Sequence, residues 1–200
     1  MKAIGLAIAA LALSTAAHAS IIPNLASVTP DGSDFIFSYQ GQLAPDQGVK
    51  AGNQLVIVDF AGYVPGSVAS AIPDVIATVS DTLPAGLLLP PGVTDNAAIP
   101  DLVFTYIGPD FDTSGGPFSG LTDFNGLSAE STFHGVALGS FSAVAVTNDG
   151  KATGSAAFNV GSVGVPSAVP EPATWAVIFF GFGAVGASIR SRRRQIAKIA

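Results

Sequence analysis

The sequence contains no cysteine and little charge. Without cysteine the chain has no disulfide framework, no thiolate zinc site and no cysteine nucleophile. Charged residues make up 11% of the chain and hydrophobic residues 48%, which excludes a highly charged disordered protein. At 200 residues the chain has room for one domain with short appendages.

Basic residues are almost absent from the middle of the chain. Between Ser20 and Val169 the only basic side chains are Lys50 and Lys151, against thirteen acids, so this part carries a net charge of −11. Such a surface repels the phosphates of nucleic acids, because binding them requires clustered lysine and arginine. The charge favours bound cations or neutral partners instead.

Catalytic motifs are missing as well. His134 is the only histidine after the first 19 residues, and no G-x-S-x-G turn accompanies it. A lone histidine in a strand is more often a surface or packed side chain than a catalytic one. The aspartates supply carboxylates for glycoside cleavage, but their spacing selects no pair. We therefore expect a protein that is not an enzyme.

The N-terminus has the three parts of a secretory signal peptide. Lys2 supplies the positive start, residues 3–13 form an apolar run, and Ala17 and Ala19 are the small residues of a cleavage site. We predict cleavage before Ser20, which removes residues 1–19. The alternative is a buried N-terminal helix.

At the other end, an apolar segment is followed by arginines. Residues 173–189 carry no charge, and about 17 residues is the lower limit for a helix that spans the hydrocarbon core of a bilayer. Trp175 lies near the start of this segment, where an indole favours the membrane interface. The positive-inside rule places the basic end, with residues 195–200, in the cytoplasm and the body outside.

A proline triplet lies just before the apolar segment. Pro170-Glu171-Pro172 is stiff and extended, since each proline fixes its own φ and restricts the residue before it. The preceding residues 161–169 are small and typical of a flexible linker. An extended peptide on such a tether is accessible to a processing enzyme, although a simple juxtamembrane linker is the alternative.

This order of residues closely resembles the PEP-CTERM sorting signal in its PEPxxWA form. The matching residues are Val169, Pro170, Glu171, Pro172, Trp175, Ala176, Gly181, Phe182, Gly183, Gly186, Arg190, Arg192, Arg193 and Arg194. The resemblance implies a Gram-negative exported protein that an exosortase in the inner membrane recognises and cleaves near the triplet. It also implies an association with exopolysaccharide and the extracellular matrix. Ser191 and residues 195–200 depart from the usual basic end.

The body of the chain has short β-type runs and no long helical pattern. The candidate strands are residues 34–39, 54–60, 75–80, 102–107, one or two within 131–147, and 152–160. Asn148-Asp149-Gly150 predicts a hairpin turn before the last of them. We predict an all-β fold, an antiparallel β-sandwich of about seven to nine strands. The predicted organisation is a signal peptide (1–19), an ectodomain (20–160), a linker (161–169), a sorting signal (170–194) with a transmembrane helix (173–189), and a cytoplasmic end (195–200).

One stretch has partial calcium-loop spacing. Asp110, Asp112 and Ser114 alternate before Gly115, as the first ligands of such a loop do. The twelfth position is Leu121 rather than glutamate, so a full EF-hand is excluded. An aspartate-rich surface turn is the stronger interpretation, and we expect no cofactor unless this stretch binds calcium.

The sequence therefore favours a noncatalytic exported protein of the cell surface or extracellular matrix, linked to exopolysaccharide or biofilm. The expected partners are an exosortase-type protease, signal peptidase, the inner membrane and exopolysaccharide, but not nucleic acid. One alternative is a secreted enzyme acting on matrix polysaccharide, with convergent carboxylates near Asp110, Asp112 and Asp123. Another is a ligand-binding or ice-binding module with a flat ordered face.

Overall fold

The computed structural model describes residues 21–44, 47–112, 122–147 and 154–168, together with Phe182 alone. Eleven β-strands lie in these ranges: β1 (Ile21–Asp31), β2 (Asp34–Leu43), β3 (Gln47–Val49), β4 (Gln54–Val58), β5 (Ala69–Ser70), β6 (Val75–Ser80), β7 (Asp101–Tyr106), β8 (Phe111–Asp112), β9 (Thr122–Ser131), β10 (Gly135–Thr147) and β11 (Ala156–Ser167). Within the described part of the chain, no helix is long and apolar enough to cross a membrane.

The strands form two antiparallel sheets that pack face to face. The first sheet has the order β1-β2-β9-β5, and the second has the order β6-β7-β4-β10-β3-β8, with β11 also paired to β10. β10 pairs with β4 along its middle and with β3 near its C-terminal end. On their other sides, β4 pairs with β7 and β3 pairs with β8. The predicted all-β, sandwich-like fold is confirmed.

The main core lies between the sheets. In β2 the buried residues alternate, and Phe37 and Tyr39 are 0% and 1% exposed. Alternation places successive side chains on opposite faces of a strand, so one face of β2 packs on the second sheet. Phe60 extends this core, with its ring edge-on to that of Phe37 at a centroid distance of 5.6 Å.

The second sheet is covered on its outer face too. Residues 81–100, called the cover segment below, contain no strand and connect β6 to β7. Leu83, Leu87 and Leu89 of this segment pack on a smaller cluster of buried valines that belong to β4 and β7. Because both faces are covered, β4 is buried from Leu55 to Val58 without alternation.

Two long strands, β1 and β9, are absent from the sequence prediction, as are the short strands β3, β5 and β8. β1 contains Pro23 and Pro30, and proline is tolerated because β1 lies at the edge of its sheet. β9 is polar, and its Gly126 has a φ of 106° where the register with β2 shifts. The local patterns of both strands are weak, and pairing with β2 decides their structure.

The predicted linker is wrong over most of its length. β11 continues to Ser167, and its residues pair with β10 throughout. Its glycines permit close packing rather than flexibility, since a Cβ on Gly161 would lie 2.8 Å from the Phe141 ring, and one on Gly164 would lie 2.8 Å from Leu25. β10 and β11 pair in the antiparallel direction that the predicted hairpin requires, and the predicted turn residues Asn148, Asp149 and Gly150 lie outside the described residues.

Candidate functional site

Three carboxylates converge at one edge of the second sheet. Asp59 follows β4 directly, Asp101 begins β7, and Asp95 belongs to the cover segment. One carboxylate oxygen from each lies within 4.8 Å of those from the other two. We call these three residues the carboxylate cluster. In the described part of the chain, this is the group of acidic, histidine or cysteine side chains close enough to share one ion.

Strand pairing brings two members of the cluster together. β4 and β7 are antiparallel neighbours, and Ile57 pairs with Leu102, so the end of β4 meets the start of β7. Asp59 has a φ of 56°, a left-handed conformation that aspartate adopts more readily than most residues. Its N–H donates to Oδ1 of Asp101 at 2.9 Å. The backbone turn and the Asp101 carboxylate therefore fix each other.

The cover segment supplies the third member. The Leu83 N–H donates to Oδ2 of Asp95 at 2.7 Å, which closes the segment on itself. The Asn96 N–H donates to Oδ1 of Asp59 at 3.1 Å, which attaches the segment to the end of β4. These bonds place Asp95 beside the two strand-end aspartates.

Two oxygens of the cluster are buried and have no hydrogen-bond donor. They are Oδ2 of Asp101 and Oδ1 of Asp95. Asp101 as a whole is 0% exposed. Buried polar atoms in native proteins nearly always have a partner, because an unsatisfied one costs about 1–3 kcal/mol. Two oxygens of the cluster therefore lack an electropositive partner.

The pKa values of two carboxyl groups in the cluster are raised. Burial raises the pKa of Asp101 to about 6; the hydrogen bond from Asp59 opposes this, while the charges of Asp95, Asp59 and Asp81 add to it. Burial also raises the pKa of Asp59, against the hydrogen bond from Asn96. Burial is the largest cause at both residues, and the charge of the neighbouring carboxylates adds to it.

No lysine or arginine among the described residues offsets this charge. The basic residue in those ranges is Lys50, whose N–H bonds to the side chain of Asn53, just before β4. The Asn53 carbonyl accepts the N–H of Tyr106, at the far end of β7 from Asp101. Tyr106 is five residue steps along β7 from Asp101, a distance of about 17 Å at the usual rise per residue.

A second feature is an apolar cavity between the sheets. Its volume is about 380 Å³, within the range of small-molecule pockets. Both sheets line it, with Ile21, Leu43 and Phe124 on one side and Leu55, Val75 and Phe104 on the other. The cavity lies at the Tyr106 end of β7, and the carboxylate cluster lies at the Asp101 end.

Comparison with known proteins concerns the tail. Residues 168–194 match the PEP-CTERM protein-sorting motif. The chain carries a PEP-CTERM sorting motif. This motif designates an exosortase substrate, and hence an exported protein. No curated protein matches the chain.

The PEP-CTERM motif follows the folded body directly. β11 ends at Ser167, and the motif begins at residue 168. Phe182 is described and exposed. The other predicted tail residues lie outside the described residues, as do the signal-cleavage residues: Val169, Pro170, Glu171, Pro172, Trp175, Gly181, Gly183, Gly186, Arg190, Arg192, Arg193, Arg194, Ala17, Ala19 and Ser20.

The acidic residues singled out from the sequence are dispersed. Asp110 is exposed after β7, the backbone of Asp112 belongs to β8, and Ser114 lies outside the described residues. Asp123 lies on β9 of the other sheet and accepts a hydrogen bond from Gln42 at 3.0 Å. The carboxylate cluster was not predicted from the sequence. A usable signal was present, because one aspartate directly follows the buried strand β4 and another begins the neighbouring strand β7.

His134 lies on the surface of the β-sandwich. The residue is exposed, and its ring packs against Phe35 with a centroid distance of 5.4 Å and an angle of 45°. Two described aromatic side chains that could contact a polymer, Phe60 and Tyr63, are not fully exposed. Phe60 is buried, Tyr63 is half-buried, and Phe118 lies outside the described residues.

Proposed function

We propose that this chain is a noncatalytic surface or extracellular-matrix protein of a Gram-negative cell, linked to exopolysaccharide or biofilm. An exosortase-type enzyme sorts and processes it. The observation that carries the proposal is the PEP-CTERM match over residues 168–194. The signal-peptide pattern at the other end supports it, because a chain needs export before an exosortase can process it on the outer side of the membrane.

The proposed route has three steps. Signal peptidase removes residues 1–19, and the body crosses the inner membrane. Residues 173–189 then hold the chain in that membrane transiently, with the arginines on the cytoplasmic side. Cleavage near Pro170-Glu171-Pro172 releases the sandwich to the surface or matrix.

The short spacing between domain and motif affects the processing step. Three residues separate Ser167, the end of β11, from Glu171. An extended chain covers about 3.3–3.6 Å per residue, so Glu171 lies at most about 14 Å from the last strand residue. The processing enzyme must therefore work against the folded end of the sandwich.

The carboxylate cluster gives no support to the alternative of an enzyme that cleaves polysaccharide. Glycoside hydrolases separate their two carboxyl groups by about 5–5.5 Å or about 6.5–9.5 Å, with open access for a polymer. The clustered oxygens here lie within 4.8 Å, and Asp101 is 0% exposed. A buried residue at this spacing cannot reach a glycosidic bond without unfolding.

The test compares wild-type cells with cells carrying Glu171→Ala. The expected result is that wild type yields a shortened chain outside the cell, whereas the variant stays in the membrane fraction at its longer length. Glu130→Ala is the matched control, since Glu130 lies in β9 and is the other glutamate of the chain. Equal processing and release of wild type and Glu171→Ala would refute the sorting role of the triplet.

The matrix role is tested separately. Purified sandwich should bind exopolysaccharide from the native cell and should leave that polymer at its original length. Shortened polymer would support the alternative of a secreted enzyme. No binding would refute the exopolysaccharide contact while leaving export and sorting intact.

The apolar cavity favours a second candidate, a ligand-binding module. Its lining is largely apolar, which suits a small apolar molecule rather than a sugar polymer. An apolar fluorophore should brighten in the native chain, and Val75→Trp, which adds bulk at the lining, should reduce the signal. Absence of native-state binding would eliminate this candidate.

A further inference from the structure

We propose that Asp59, Asp95 and Asp101 form a calcium site that holds the cover segment against the outer face of the second sheet. This site is distinct from the stretch around Asp110 whose spacing resembles a calcium loop. It joins the ends of β4 and β7 to a segment that contains no strand.

The spacing of the oxygens suits a shared ion. Calcium binds oxygen ligands at about 2.3–2.6 Å, so two ligands of one ion are separated by at most about 5 Å. The cluster oxygens lie within 4.8 Å of one another. Carboxylates are also the hard ligands that calcium prefers, and three of them converge from two strand ends and one loop.

The oxygens without donors indicate where the ion binds. Oδ2 of Asp101 and Oδ1 of Asp95 are buried and have no hydrogen-bond partner, while the other oxygen of each accepts an N–H. Each carboxylate is therefore oriented by one oxygen and leaves the second available. Asp95 and Asp101 share this arrangement, and one oxygen of each lies within 4.8 Å of one oxygen of the other.

Charge balance favours a cation over water. The acids of the cluster have no neighbouring lysine or arginine in the described ranges, and Asp81 adds further negative charge near Asp101. A water molecule donates hydrogen bonds but leaves the like-charge repulsion in place. A divalent cation satisfies the oxygens and neutralises that repulsion.

The ion would control the cover segment. Leu83, Leu87 and Leu89 of this segment bury Val56, Val58 and Val103. The segment has 20 residues without a strand, and so long a connection in a compact domain needs an additional constraint. An ion bound by Asp95 of the segment and by Asp59 and Asp101 at the strand ends would supply this constraint.

The first experiment measures the thermal midpoint of the mature chain in EDTA and in calcium chloride. At calcium about 100-fold above its dissociation constant, we expect a rise of about 5–10 °C. Sodium chloride at equal ionic strength should give a smaller change. Equal shifts in both salts would overturn the proposal, since general screening then explains the effect. A larger shift with magnesium than with calcium would overturn the choice of ion.

Variants locate the ion. Asp101→Asn and Asp95→Asn retain the oxygens that accept the N–H groups of Asp59 and Leu83 but lose a charge, so each should abolish the calcium shift. Asp110→Asn is the matched control, because it makes the same change at an exposed aspartate outside the cluster. Loss of the shift in Asp110→Asn and its retention in Asp101→Asn would move the ion to the other stretch and refute this site.

Direct measurements cover the case in which Asp101→Asn fails to fold. Titration calorimetry should detect one calcium ion per wild-type chain and none in Asp95→Asn. Calcium should also slow amide exchange of Leu83 and Asn96 by about 10- to 100-fold, because opening of the cover segment would require release of the ion. Unchanged exchange in the cover segment would refute its control by calcium.

Discussion

Removing the end of β11 tests the domain boundary most directly. A fragment of residues 20–160 ends where the sequence pattern suggests a linker, and a fragment of residues 20–168 includes the whole strand. The missing part contains Val163 and Val165, which are 3% and 7% exposed. Burial of two valine side chains stabilises a fold by about 3–6 kcal/mol.

The shorter fragment loses a hydrogen bond as well. The hydroxyl of Tyr39, which is 1% exposed, donates to the carbonyl of Gly164 at 2.9 Å. Leaving that hydroxyl without an acceptor costs about 1–3 kcal/mol. The expected total, about 4–9 kcal/mol, is comparable with the whole stability of a small domain, about 5–15 kcal/mol.

Urea unfolding followed by far-ultraviolet circular dichroism measures the difference. We expect the 20–168 fragment to unfold cooperatively and the 20–160 fragment to be unfolded or nearly so in water. Val163→Ala in the full chain should cost about 2–3 kcal/mol, which checks the burial contribution alone. Equal urea midpoints for the two fragments would refute the assignment of residues 161–168 to the fold.

Three further outcomes follow from individual contacts. Gly161→Ala places a Cβ 2.8 Å from the Phe141 ring and should cost about 1–3 kcal/mol, whereas Ser162→Ala, at an exposed position of the same strand, should cost little. Burial raises the pKa of Tyr39, so its contribution to stability is complete below about pH 10 and declines above it; Tyr39→Phe should remove that alkaline slope in urea titrations. In EDTA, the raised pKa of Asp101, about 6, means that the folded state holds a proton that the unfolded state releases at lower pH. The free energy of unfolding should therefore fall as pH rises from 4 to 7, and Asp101→Asn should lack this fall.

The local sequence pattern predicted the strands in which apolar and polar residues alternate or β-branched residues are frequent. β6 was predicted with its observed bounds, and β7 within one residue at each end. Their side chains determine which face is apolar, and that information is local. β1 has prolines and exposed residues, so its structure depends on a partner that the sequence does not identify.

The glycines of β11 show why composition misled the boundary prediction. Small residues in a row are typical of linkers, but they are also typical of places where two layers approach closely. Gly161 and Gly164 belong to the second class, since Phe141 and Leu25 occupy the space above them. Only the packed sheets distinguish these two uses of the same residues.

The sequence by itself determined the sorting of this protein and its fold class. A sorting motif is recognised as a linear peptide, and alternation along a strand is a property of neighbouring residues, so both can be read without a structure. The tertiary structure decided the end of the domain, the cavity and the carboxylate cluster. Asp59, Asp95 and Asp101 are separated by up to 42 residues in the chain, and only the pairing of β4 with β7 and the path of the cover segment bring their charges together.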